Sequence, residues 1–179
     1  MQAHSPHPAF SLVARLALFT ACAGLPLTSL AAGSITIANQ APFAQQLSVP
    51  EAVRAECNLP TKVIDFVKEN ANKNYDKVAL ADNVSASTPG QALSMKIVGL
   101  TGTGGGAYSG PKHVTVEGTL WENGKVKGTF TATRYSGGGA FGGMKGTCSI
   151  LGRCVQAIGK DVGGWLLAPS MNAKLGDAK

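Results

Sequence analysis

The sequence predicts a two-layer α/β sandwich, with a mixed sheet of four to five strands and two principal helices on one face. Three observations lead there. Apolar and polar residues alternate over residues 34–38, 93–97 and 113–134, the last stretch broken by Asn123-Gly124. Residues 59–71 and 151–166 instead space their apolar side chains at helical intervals. A period of two marks a half-buried strand and a period near 3.6 marks one face of a helix. Elements that are apolar on one side only bury that side against each other, which makes two layers.

Ile35 and Ile37 fall on one side of the first strand. Ser48 ahead of Pro50-Glu51 suits a helix cap with proline in the first turn, so a short helix is expected to about Glu56. Asn58-Leu59-Pro60 restarts it, and Leu59, Val63, Ile64, Val67 and Ala71 then line one face. Asn70, Asn72 and Asn74 are expected to fray its end. Val78-Ala79-Leu80 reads as a short strand and residues 83–91 as a loop. Leu93, Met95 and Ile97 alternate with polar residues as a further strand, and residues 102–110 form a glycine-rich connection.

In the hairpin, a two-residue turn would pair Glu122 with Lys125 and set apolar residues on opposite faces. A three-residue loop with Gly124 left-handed removes that conflict. It pairs Leu120 with Val126, Gly118 with Gly128, Val116 with Phe130 and Val114 with Ala132. The other face then carries Thr115, Glu117, Thr119, Lys127, Thr129, Thr131 and Thr133, with Trp121 beside the turn. The opposed glycines are expected to let a helix approach closely. In the last helix Leu151, Cys154, Val155, Ile158, Val162, Trp165 and Leu166 repeat at helical spacing, and Pro169 ends it. Gly159 and Gly163 each cost a helix about 1 kcal/mol relative to Ala, and packing on the sheet glycines is the expected compensation. Residues 32–169 therefore read as one domain and 170–179 as a flexible tail.

Residues 1–31 read as a cleavable secretory signal. Arg15 precedes an apolar run over residues 16–27, and Ser29-Leu30-Ala31 has the small-x-small pattern of a cleavage site after Ala31. The run is shorter than the roughly 20 apolar residues of a bilayer span. The competing reading is a lipoprotein acylated on Cys22, which Thr20 and Ala21 suit and Phe19 does not. The expected location is periplasmic or secreted, with an outer-membrane anchor in the lipidated case. The chain carries a net charge of +6 without a Lys/Arg-rich stretch. Such diffuse charge fits anionic envelope partners and plain solubility alike, and gives no sign of nucleic-acid binding.

Beyond residue 31 three cysteines remain, Cys57, Cys148 and Cys154. An oxidising compartment favours pairing, so one disulfide and one leftover thiol are expected. Cys148 and Cys154 lie too far apart along a regular helix to bridge. Cys57 sits at the break before the first long helix. If both helices pack on the same face and run the same way, their starts are neighbours, so Cys57 pairs with Cys148 or Cys154, Cys148 preferred.

Catalytic and cofactor motifs are weak. Gly102-Thr103-Gly104 with Ala107 fits a loose dinucleotide fingerprint, but Pro111 and a strand follow where a helix is required. Residues 139–147 resemble a phosphate-binding loop without its Gly-Lys-Ser/Thr, since Lys145 stands between Met144 and Gly146. Backbone amides at a helix start attract anions, so Gly143, Lys145, Gly146, Thr147 and Arg153 form a candidate anion site. The one histidine beyond residue 31, His113, has no nucleophile signature around it and reads as a solvated surface residue. The Cys148-x5-Cys154 spacing is not that of a structural zinc site, and the dispersed acids suggest no glycosidase pair. No cofactor or metal is expected.

The stretch Phe130–Arg134, the glycines from Gly137 to Gly146 with Thr147-Cys148, then Leu151-Gly152-Arg153-Cys154, Lys160-Asp161 and Trp165-Leu166, resembles a family of small exported bacterial proteins of unknown function. Cys57 in Glu56-Cys57-Asn58-Leu59 fits the same pattern, and the resemblance spans about residues 34–169. More distantly, the order of elements resembles the TolB amino-terminal domain and LpoB-type envelope lipoproteins, which are partner-binding modules of the periplasm and not enzymes. The resemblance implies no catalytic residue. The expected function is a non-catalytic envelope interaction module, whose partner is another envelope protein or envelope polymer, and which meets a membrane only through a lipid. The alternatives are a small-ligand or anion binder at the glycine-rich loop, and a small exported hydrolase or thiol enzyme.

Overall fold

The computed structural model describes residues 1–2, 32–102, 111–137 and 145–179. The chain divides into two compact units, residues 1–30 and 31–179; the second holds the α/β domain. Its elements are β1 (Ala32–Ala38), α1 (Glu51–Glu56), α2 (Leu59–Ala71), β2 (Tyr75–Ala81), β3 (Gln91–Thr101), β4 (Lys112–Glu122), β5 (Lys125–Ser136), α3 (Thr147–Trp165) and β6 (Ala173–Gly176). The sheet order is β2-β1-β3-β4-β5-β6. β1 is parallel to both β2 and β3, β3-β4-β5 is an antiparallel meander, and β6 is parallel to β5.

The sheet thus has six strands, not four to five, because the tail expected to fray forms β6. Two inward side chains and a polar latch hold it. Ala173 and Leu175 pack against the core. Asp177 accepts a hydrogen bond from the Tyr135 backbone N–H at 3.0 Å and a longer one from Arg134 at 3.5 Å. Arg134 also grips Asp161 of α3 through both carboxylate oxygens, at 2.7 and 2.6 Å. One guanidinium therefore ties sheet, helix and last strand together, the two-pronged geometry to which arginine is suited.

The core lies between the sheet and the helices. Leu59, Val63, Ile64, Val67 and Ala71 of α2 are all buried, as their spacing predicts. They meet Ile35, Ile37, Leu93, Ile97, Val116 and Leu120 from the sheet in a single cluster with α3. Burying one such aliphatic side chain contributes roughly 1.5–3 kcal/mol. Ser48 does not cap α1, whose N-cap is Pro50. The asparagines after α2 do not simply fray either: Asn74 donates from Nδ2 to the Gly163 carbonyl at 2.9 Å, joining α2 to α3. α3 stops at Trp165, before Pro169.

The hairpin keeps the expected faces by a different device. Asn123 (φ 52°) and Gly124 (φ 84°) make a two-residue turn with Glu122 opposite Lys125. Both positive φ values are those of a turn whose twist matches its strands. The register then shifts between Leu120 and Trp121, leaving Lys127 as the extra residue. The bulge therefore sits in β5 and not in the loop. Leu120 faces Gly128, Gly118 faces Phe130, and Val116 faces Ala132. The glycines are not opposed, and Val126 is exposed rather than inward. Each of these two glycines instead receives an aromatic ring: a Cβ on Gly118 would lie 2.4 Å from Phe130, and one on Gly128 would lie 2.7 Å from Trp165. Gly159 and Gly163 of α3 face α2 rather than the sheet glycines.

Candidate functional site

Among the described residues all three helices lie on one side of the sheet, and none of them covers the other side of β3–β6. Its residues form three rows across the strands. The first is Ser94, Thr119, Thr129 and Asn172. The second is Lys96, Glu117, Thr131 and Lys174. The third is Gly99, Thr115, Thr133 and Gly176. The first two rows line a groove of about 370 Å³. Thr129 and Asn172 hold each other, the Thr129 hydroxyl accepting from the Asn172 backbone N–H at 2.8 Å. Lys96 is paired with Glu117 at 3.1 Å. The Thr115 and Thr133 hydroxyls bond at 3.0 Å. Trp121 continues the same side of β4 toward the turn.

His113 lies at the far end of this face. It lies on the polar face as expected, but only partly exposed, with its ring tilted against Tyr135 at a centroid distance of 5.1 Å. Burial holds its pKa below the ordinary imidazole value. At the other end a polar chain crosses the sheet. Tyr75 donates to Gln91 at 2.8 Å, Gln91 to Glu122 at 3.0 Å, and Lys127 to Glu122 at 2.8 Å. The Lys127 and Gln91 hydrogen bonds draw Glu122 below the usual carboxylate range, and burial raises Tyr75. No sequence motif marks this chain, because its members belong to different strands.

The candidate anion site is only partly within view. Gly143 lies outside the described residues, as do residues 103–110 of the dinucleotide-like loop. Gly146 is the N-cap of α3, and the Ser149 and Ile150 amides donate to its carbonyl. Thr147 follows, its Oγ1 buried without a hydrogen-bond partner. Lys145 is half-buried beside it, whereas Arg153 is exposed, about 9 Å further along the helix axis. Lys112, which nothing in the sequence singles out, is 1% exposed at the start of β4.

Cys57 and Cys148 form the disulfide, with Cα atoms 4.8 Å apart. Cys57 is fully buried at the joint between α1 and α2, and Cys148 lies in the first turn of α3. Cys154 remains a buried thiol donating to the Lys112 carbonyl at 3.7 Å. Burial, with the Asp177 carboxylate adding to it, pushes this thiol up to about 11. Its thiolate fraction at neutral pH is then on the order of one in ten thousand. Native protein is expected to leave Cys154 unlabelled by a thiol reagent at pH 7.5, and unfolded protein to release one reactive thiol per chain beyond residue 31. Rapid native labelling would contradict this and revive the thiol-enzyme alternative. Among the described residues no three His, Cys, Asp or Glu side chains stand together as metal ligands, and no helix is long and apolar enough to cross a membrane.

No protein-family model matches the chain, and no curated protein matches it. Among solved structures it is similar to the PelC dodecamer of Paraburkholderia phytofirmans, at 15% identity over 71% of this chain and 86% of that one, with a TM-score of 0.45. It is also similar to protein XCC0632 of Xanthomonas campestris, a DUF330 protein. The identity there is 12% over 76% of this chain and 86% of that one, and the TM-score is 0.47.

Proposed function

We propose that the protein is an exported, envelope-associated interaction module that works by binding rather than catalysis, with the threonine-bearing sheet face as its contact surface. The observation that carries this reading is the groove over β3–β6, which hydroxyl, amide and charged side chains line and none of the described helices covers. The signal-like N-terminus supports export, and the resemblance to small exported bacterial proteins points the same way. The buried, unreactive setting of Cys154 argues against a thiol mechanism. A photo-crosslinker placed at Thr131 in living cells tests the surface, with one at the exposed Glu69 of α2 as control. Adducts from Thr131 in the envelope fraction are expected. Adducts from Glu69 alone, or a protein retained in the cytoplasm, would refute it.

A second reading, an anion binder at the start of α3 using Lys145, Gly146 and Thr147, is favoured by the buried, unpartnered Thr147 hydroxyl. A thermal-shift series with low-millimolar phosphate on the parent protein and on Thr147→Val separates the two. Stabilisation that saturates and is lost in Thr147→Val belongs to this reading alone, whereas the general stabilisation of the folded state by phosphate is the same in both.

A further inference from the structure

We propose that the groove on the threonine face binds a strand of acidic polysaccharide, with Lys174 meeting a sugar carboxylate and the surrounding hydroxyls meeting those of the sugar. This rests on the sheet face being the contact surface and names its occupant.

The argument begins with the floor. It is the backbone of β3, β4 and β5, whose hydrogen bonds are already used in the ladders on either side. A peptide cannot add here as another strand, because strand addition needs a free edge. Recognition must pass through side chains. Ser94, Thr119 and Thr131 present hydroxyls without intramolecular partners among the described residues. Each hydroxyl both donates and accepts. A ligand dense in hydroxyls matches such a lining at every position. A protein partner would look for apolar pockets to fill with its anchors. None of the large exposed apolar residues, Leu80, Val126, Tyr135, Leu167 and Met171, lines the groove.

Charge supplies the acidic part. Lys96 is satisfied by Glu117. Lys174 lies across Thr131 from that pair and has no carboxylate within ion-pairing distance among the described residues. The groove therefore carries one unmatched positive charge on a chain of net +6. A neutral sugar leaves that ammonium unanswered, whereas a uronic acid answers it with a charge-assisted hydrogen bond. The volume of about 370 Å³ accommodates a short stretch of chain, within the roughly 300–1,000 Å³ typical of ligand sites.

The test is titration of the full chain with hexamers of galacturonate and of mannuronate, read by amide chemical shifts and calorimetry. Neutral maltohexaose and polyglutamate are the comparisons. Saturable binding of an acidic hexamer is expected, with shifts along β4 and β5 and no comparable response to maltohexaose. Lys174→Gln, at an exposed position, should weaken binding about tenfold, as should Thr131→Val. Both variants should melt with the parent protein. Equal binding of neutral and acidic hexamers, or binding unchanged in Lys174→Gln, overturns the proposal. Binding of polyglutamate alone makes the occupant an acidic protein segment; the proposal then fails while the surface reading stands. The same holds if no hexamer binds but Thr131 still crosslinks in cells. If neither occurs, both fail.

Discussion

Removing the disulfide with Cys57→Ser and Cys148→Ser together is expected to lower stability by about 4–5 kcal/mol. The bond joins residues 91 apart in sequence. Loop-closure entropy grows with that separation, so the unfolded chain loses much freedom when the bond is present. The folded chain loses little, because the two helix starts are already neighbours. Contacts run in step from there: Cys57 with Cys148, Phe66 with Gly159 and Asn70 with Gly163. The helices are therefore parallel, and the disulfide pins their common beginning. For a domain of this size such a loss lowers Tm by roughly 10–20 °C. Circular-dichroism melts of the double variant, and of parent protein with and without reductant, measure it. A fall of only a few degrees would show that the bond constrains nothing the packing does not. Cys154→Ser serves as control, since that thiol takes no part in the bond.

Gly159→Ala is expected to destabilise by about 2–3 kcal/mol, although alanine is the better helix former. A Cβ at Gly159 would come within 2.5 Å of the Phe66 Cβ and 2.7 Å of its carbonyl carbon. The obstacle is partly backbone, so α2 and α3 must move apart. Gly163 is similar, with the Asn70 Cβ at 2.6 Å. The same helix supplies its own contrast. Nothing lies within 4 Å of the Cβ position at Gly152 or Gly164. There alanine should stabilise by about 0.5–1 kcal/mol, by restricting the unfolded chain and favouring the helix. Urea denaturation of the four single variants gives four signs. A stabilising Gly159→Ala would mean that the helices are not in the contact described.

These glycines also show how far the sequence could be read. Their spacing of four announced a close approach, but a missing side chain cannot say what it approaches. The expected partner was the sheet, and the actual one is α2. The buried face of α2 and the two faces of the hairpin were legible because periodicity is a property of consecutive residues. Two helix starts narrowed the partner of Cys57 to Cys148 or Cys154, and the preferred one, Cys148, is the one that pairs. The register within the hairpin did not follow, since a bulge at Lys127 and a longer loop satisfy the same alternation. β6 escaped notice because Ala173–Gly176 offers only one turn of alternation, and its latch, Arg134 with Asp177, spans two strands. The threonine face was legible as a list of residues. The groove was not, for it depends on which strands lie side by side and on the placing of Asn172 and Lys174 by β6.

The position of β1 has a bearing on time. It is the first strand along the chain, yet it lies between β2 and β3, and Ile35 must find both Val78 and Gln91. The meander β3-β4-β5 needs only neighbours, beginning with Glu122 and Lys125 across a tight turn. Local pairings form sooner than those that close long loops. The earliest strand to leave a ribosome or a translocation pore is therefore among the last to settle. It enters as a wedge between two edges that must wait for it.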